Sequence, residues 1–278
     1  MSLTDKDHLN NKPVVLAQIT DSHLFSSPTG LHHGHNVLEN LKKVLLSLCD
    51  NLEIDLIVFT GDLTQDHTEQ SYQNFVDCVH ACNVTVPIYY LAGNHDEPEL
   101  LDKYFAGSPF LPNKNISFLH WQVQLVDSKS ETPAGYVRQQ ALVQLKTVID
   151  QSKHQLLMMH HHPIDVGYFI DKHGLQNKAD FWHVINEYSN IKAIACGHVH
   201  GAMQLTNPLA RQVSKLSKKR LRTKSSKEPE TVTLYTCPAT SIQFDPNIDG
   251  VAALAKGPGY RLFYLHADGQ LTTDVVAL

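Results

Sequence analysis

Asp55-Leu56-Ile57-Val58-Phe59-Thr60-Gly61-Asp62 is the stretch that decides the fold of this chain. It is a short apolar run, rich in β-branched residues, that stops at a glycine and then presents a carboxylate. A buried strand whose C-terminal end opens into a site has this pattern. Three other stretches repeat it: Val14 to Thr20 before Asp21-Ser22-His23, Val86 to Ala92 before Gly93-Asn94-His95-Asp96, and Ile191 to Cys196 before Gly197-His198-Val199-His200. A fifth, Leu156 to Met159, runs into His160-His161-His162-Pro163. Five strand ends of one design describe a shared crevice.

Between these runs the apolar spacing becomes helical. Asn36 to Asp50 carries Val37, Leu38, Leu41, Val44, Leu45 and Leu48 on one face behind an Asn cap, and Thr68 to Cys82, Gln139 to Ser152 and Lys178 to Tyr188 follow the same rule. Strands alternating with helices require crossover connections, so the central strands are expected to be mostly parallel, with ligands beyond their carboxyl ends. From Thr231 the runs Val232 to Cys237, Thr240 to Phe244, Tyr260 to His266 and Leu271 to Val276 read as short strands without helices between them. These C-terminal strands are expected to be antiparallel, forming or extending a second sheet or backing the first. The fold class is therefore α/β, a layered sandwich, read as a single domain over 1–278. Leu24 to His35 reads as a loop able to line the site, with His32, His33 and His35 exposed in it.

Composition narrows the class. The net charge of −5 describes neither a general nucleic-acid binder nor a strongly acidic protein. Eight of the 23 basic residues (Arg211, Lys215, Lys218, Lys219, Arg220, Arg222, Lys224 and Lys227) fall within 211–227, which holds no acidic residue, leaving 15 against 28 acidic residues elsewhere. With few apolar anchors, 208–230 reads as a mobile basic excursion. Clustered cations at 211–227 would give salt-dependent contact with an anionic partner such as nucleic acid, although the scarcity of aromatics argues against base stacking. Five cysteines without a C-x-x-C pair fit a reducing compartment, and the polar N-terminus and lack of a long apolar run fit a cytoplasmic protein with no membrane association.

The strand ends collect Asp21, His23, Asp62, Asn94, His95, Asp96, His160 to His162, His198 and His200. Oxygen and nitrogen donors without thiolate suit iron, manganese or zinc. There are too many donors for one ion, and Asp21-x-His23 and His198-x-His200 would each aim two side chains to one side if the segments were extended. Two cations bridged by a carboxylate would use the whole set and serve in-line displacement at phosphorus. Alternation along a strand puts His161 on the face opposite His160 and His162, which leaves open which of them points inward. Asp127 also ends a strand, but without a neighbouring histidine it reads as structural.

In Asp21-Ser22-His23, Gly61-Asp62, Gly93-Asn94-His95-Asp96, His161-His162-Pro163 and Gly197-His198-Val199-His200, the sequence resembles the calcineurin-like metallophosphoesterases. Gln18 to Phe25, Thr60 to Asp66 and Leu265 to Gly269 resemble the bacterial class III 3',5'-cyclic nucleotide phosphodiesterases within that superfamily, and the likeness covers almost the whole chain. The resemblance implies a metallophosphoesterase-type sandwich holding two ions, iron or manganese foremost and zinc as a further fit. One ion would take Asp21, His23 and His200, the other Asn94, His161 and His198, with Asp62 bridging. His161 is implied because it stands two places before the proline.

His95 is then the catalytic residue, contacting the phosphate and protonating the leaving 3'-oxygen, with Asn94 and His200 also touching substrate. Asp96 would tune His95 or a ligand histidine by hydrogen bonding, and His160 and His162 would pack behind the ligands. The implied activity is hydrolysis of 3',5'-cyclic AMP to 5'-AMP by a hydroxide held between two cations. Other phosphodiesters, 2',3'-cyclic nucleotides and phosphomonoesters form the competing substrate set, and a non-catalytic interaction module is the reading from another class. A homodimer is compatible with the family likeness. Nucleotide selectivity is expected from Leu24 to His35, Gly167 to Gly174 and Gln243 to Pro258.

Overall fold

A computed structural model describes residues 12–206 and 231–278. The basic excursion expected at 208–230 lies outside the described residues. In chain order the strands are β1 (Val14–Ile19), β2 (Leu31–His32), β3 (His35–Asn36), β4 (Leu56–Phe59), β5 (Ile88–Tyr90), β6 (Phe110–Leu111), β7 (Asn115–Ser117), β8 (Trp121–Leu125), β9 (His154–Met159), β10 (Ile191–Cys196), β11 (Gln204–Thr206), β12 (Thr233–Thr236), β13 (Gly259–Leu265) and β14 (Leu271–Ala277). The α-helices are α1 (Val37–Asp50), α2 (Glu69–Ala81), α3 (Pro98–Tyr104), α4 (Gln139–Val148) and α5 (Lys178–Ile185). Among the described residues no helix is long and apolar enough to cross a membrane.

Two six-stranded sheets, ordered β14-β13-β1-β4-β5-β6 and β11-β12-β10-β9-β8-β7, stack against each other. Strands β1, β4, β5 and β6 run parallel, as do β8, β9, β10 and β12. The layering follows from period two in strands that are apolar on both faces. In β4, Ile57 and Phe59 face the layer of α1 and α2 while Leu56 and Val58 face the second sheet. In β9, Leu156 and Met158 face the first sheet while Leu157 and Met159 face the layer of α4 and α5. Four layers result, helix, sheet, sheet and helix, and the carboxyl ends of β1, β4, β5, β9 and β10 meet at one edge.

The C-terminal expectation needs division between the sheets. Strands β13 and β14 pair antiparallel and extend the first sheet beside β1, whereas β12 runs parallel to β10 in the second. Thr240 to Phe244 is not a strand. It is an irregular segment in which Thr240 and Ser241 donate to the carbonyls of Thr20 and Asp21, so its backbone is committed to holding the end of β1. Leu24 to His35 is likewise no plain loop: β2 and β3 form a hairpin, and Asn36 at its end caps α1 by accepting from the Glu39 amide at 3.1 Å.

Candidate metal centre

The strand ends do not stay extended. Asp21, His23, Asp62, His198 and His200 all have positive φ, between 46° and 64°. The expectation that period-two alternation aims Asp21 with His23 and His198 with His200 is therefore corrected: left-handed turns converge these side chains. Such conformations cost on the order of 1–3 kcal/mol each and persist where the surroundings over-determine them. Those surroundings are visible. Asp21 N donates to Gly61 O at 2.8 Å, His23 N to Asp62 O at 3.1 Å and His198 N to Asp21 Oδ2 at 3.0 Å. A Cβ on Gly61 would lie 2.3 Å from Gly93 N, and one on Gly93 2.1 Å from Asp62 Oδ1, so the ends of β4 and β5 touch only because both are glycine.

Two clusters meet at Asp62. On one side His23 Nε2 and His200 Nε2 lie 3.1 Å apart, with Asp21 Oδ1 3.3 Å from His200 Nε2. On the other, His160 Nε2 lies 3.1 Å from Asn94 Oδ1 and 3.2 Å from His198 Nδ1. Asp62 Oδ2 is 3.7 Å from His23 Nε2 and 3.4 Å from His160 Nε2, while Asp62 Oδ1 is pinned by the His95 amide at 2.9 Å. The carboxylate thus offers one oxygen to both clusters.

Hydrogen bonds outside the clusters set the tautomers. His200 Nδ1 donates to Ile242 O at 2.7 Å and His160 Nδ1 to Thr60 O at 2.8 Å, which turns each Nε2 inward. Among the described residues, Asp21 Oδ1, wholly buried, has no hydrogen-bond donor, and His198 Nε2, His23 Nδ1 and His95 Nδ1 are also unpartnered. A buried carboxylate oxygen facing only ring nitrogens is costly unless a cation joins them. Three-residue groups with ligand atoms within 4.8 Å of one another include Asp21, His23 and His200, and Asp21, Asp62 and His160. The donor set fits metal ions.

His160 and His161 both stand against His198, the three offering ligand atoms within 4.8 Å of one another. His161 Nε2 donates to Pro133 O at 3.2 Å, its Nδ1 accepts from the Ser128 hydroxyl at 2.9 Å, and its ring packs near His198. His160 occupies the place beside Asp62 and Asn94. His162 turns to Asp171 at 3.1 Å. Asp96 does not touch His95 or a ligand histidine. Its carboxylate accepts from the amides of Asp62 at 2.7 Å, Leu63 at 2.8 Å and Gly93 at 2.8 Å, stapling the two strand ends together.

His32, expected exposed in a loop lining the site, is half-buried with its ring edge-on to His23 at a centroid distance of 5.1 Å, and Phe244, inside the Gln243 to Pro258 segment, stacks on His200 at 3.8 Å. The sequence reading missed His67, which lies parallel to His95 and bonds the His95 carbonyl at 3.0 Å. His67 ends no long strand, so no periodic signal marked it.

Burial lowers the pKa of His23, His161 and His198 well below the ordinary histidine value and that of His32 to about 3. Burial would lower His160 too, but the Asp62 carboxylate overrides it and carries His160 up to about 9. An imidazole whose pKa falls on folding binds its proton more tightly in the unfolded chain, so its contribution is complete above about pH 6.5 and drains away below. His160 contributes in the opposite sense, with stability held below about pH 6.5 and lost as the pH rises through about 9. Chelated protein should therefore lose stability between pH 6.5 and 5 by about 1.4 kcal/mol per pH unit for each such proton taken up, His160 adding nothing to that slope. Urea unfolding across this range checks it, and a flat profile would contradict it.

Residues 14–202 match the calcineurin-like phosphoesterase family. The whole chain is 70% identical to the whole of a probable cyclic nucleotide phosphodiesterase of Colwellia psychrerythraea. It is 31% identical to the 3',5'-cyclic adenosine monophosphate phosphodiesterase CpdA of Escherichia coli, over 94% of this chain and 89% of that one. Its fold is similar to that of a dimetal phosphatase from Danio rerio, with a TM-score of 0.61 at 13% identity over 96% of this chain and 99% of that one.

Proposed function

Because this chain belongs to the calcineurin-like phosphoesterase family, we propose that it is a two-metal phosphodiesterase that hydrolyses 3',5'-cyclic AMP to 5'-AMP. The observation that carries the reading is the placement of Asp62 Oδ2 between two donor clusters, 3.7 Å from His23 Nε2 and 3.4 Å from His160 Nε2. Asp21, His23 and His200 would hold one ion and Asn94, His160 and His198 the other, with Asp62 shared. Iron or manganese suits this oxygen and nitrogen set, as does zinc. Bound cations would make hydroxide available near neutral pH and offset the charge gathering on the phosphoryl oxygens.

The chain's own residues do the rest. The carbonyls of Thr60 and Ile242 fix the rings of His160 and His200, and the Asp96 staple fixes the backbone under Asp62. As the water oxygen bonds to phosphorus, the P–O3' bond breaks and one proton ends on the ribose 3'-oxygen. That proton is the second one of the attacking water, and His95 is placed to hydrogen-bond the oxygen that receives it. His95 stands beside His23 and Asp62, burial lowers its pKa so that it is neutral at pH 7, and its ring is braced by His67. A neutral imidazole can donate its N–H to the departing oxygen as charge develops there.

The test is a hydrolysis panel of cyclic AMP, cyclic GMP, 2',3'-cyclic AMP and a phosphomonoester after loading with iron, manganese or zinc. Cyclic AMP is expected to have the highest kcat/KM. A generic aryl phosphodiester outpacing cyclic AMP at micromolar concentrations would move the assignment to the broader substrate set.

A further inference from the structure

The metal-holding cluster is closed on most sides. Asp21, His23, Asp62, His160, His198 and His200 are at most 5% exposed, whereas Asn94 and His95 are half-buried. Both of these residues line one groove of about 610 Å³, within the range of roughly 300 to 1,000 Å³ typical of small-molecule sites. Its far wall is the segment after β8: Asp127, read from the sequence as structural, Lys129, Glu131 and, beyond it, Arg138. Its near wall is the start of α3, including Glu99. Lys129 ties the two walls together, its Nζ donating to the Asn94 carbonyl at 3.3 Å.

We propose that this groove is the seat of the nucleoside half of the substrate and that its walls select a phosphodiester carrying one phosphate and an uncharged organic remainder. This deepens the function proposed above and rests on it for the position of the phosphate. With the reacting phosphorus at the Asp62 end, the leaving 3'-oxygen faces His95, and whatever is attached to that oxygen continues past His95 and Asn94 into the groove. Charge fixes the class of that remainder. The walls carry the carboxylates of Glu97, Glu99, Asp127 and Glu131 against the cations of Lys129 and Arg138, an excess of acid that disfavours a second phosphate. Carboxylates and the Ser130 and Thr132 hydroxyls instead match the hydrogen-bonding edges of a ribose and a nitrogen heterocycle. The loops Leu24 to His35 and Gln243 to Pro258, expected from sequence to govern selectivity, meet the cluster elsewhere: His32 packs on His23 and Phe244 on His200.

The test fills the groove from its two walls with Glu99→Trp and, separately, Glu131→Trp. Both residues are exposed. Inhibition constants of 5'-AMP and of inorganic phosphate are measured on metal-loaded protein with a bis-aryl phosphodiester as reporter, together with calorimetric binding of 5'-AMP and metal content. Wild-type protein should bind 5'-AMP more tightly than phosphate, and each variant should cut that advantage tenfold or more with metal content unchanged. The proposal is overturned if 5'-AMP has no advantage in wild type, if both variants keep it, or if affinity for phosphate falls in parallel. A wild-type enzyme that cleaves the aryl diester but not cyclic AMP, yet loses its 5'-AMP advantage in the variants, would sink the cyclic AMP assignment and leave the groove standing.

Discussion

Asp62→Ala is expected to lower kcat/KM for cyclic AMP by about a thousandfold or more and to remove at least half of the bound metal, because a single carboxylate oxygen faces both donor clusters. The substitution also frees the His95 amide, which donates to Asp62 Oδ1, so some backbone loosening follows. Asp62→Asn separates the two effects. An amide keeps an oxygen for the His95 N–H but loses the negative charge, so it should preserve the fold and still lose metal. Burial would raise the Asp62 pKa, but His160 holds it well below the ordinary carboxylate range, so the charge is present throughout the working pH range. Metal analysis and steady-state kinetics on both variants decide the matter: turnover near wild type with full metal content in either would remove Asp62 as the shared ligand.

What could be read in the sequence was set by which physical rule left a mark on it. The core strands were legible because they are buried on both faces, and a strand such as Leu56 to Phe59 has no polar position to disguise it. The location of the site followed, since parallel strands end together. The aim of each side chain was less legible. Converging Asp21 with His23 takes a left-handed turn that depends on hydrogen bonds to the carbonyls of Gly61 and Asp62 and from the Ser241 amide, residues distant in sequence. Asp96 looked like a partner for a histidine because Asn94-His95-Asp96 is local. Its actual partners are amides on another strand end, reached only because Gly61 and Gly93 let the two chains touch. The wall from Lys129 to Arg138 was unmarked, because a groove is made by two segments meeting and neither has a pattern of its own.

The triple histidine supplies the second large expected effect. Strand β9 sends Leu156 and Met158 toward the first sheet and Leu157 and Met159 toward the helices, so His160 continues the inter-sheet face and His161 the helix face. The donors of β1, β4 and β5 lie on the inter-sheet side, which is why His160 meets Asp62 and Asn94. His160→Ala should therefore empty one of two metal positions and lower kcat/KM by about a hundredfold or more. His161→Ala should leave metal content unchanged and lower stability by about 1–3 kcal/mol, since the Pro133 carbonyl and the Ser128 hydroxyl lose a buried partner. Stability alone does not separate them, because losing His160 also strands the Asp62 charge in metal-free protein. Metal stoichiometry does: retention of both ions in His160→Ala together with loss of one in His161→Ala would return the ligand role to His161 and require β9 to pack in the other phase.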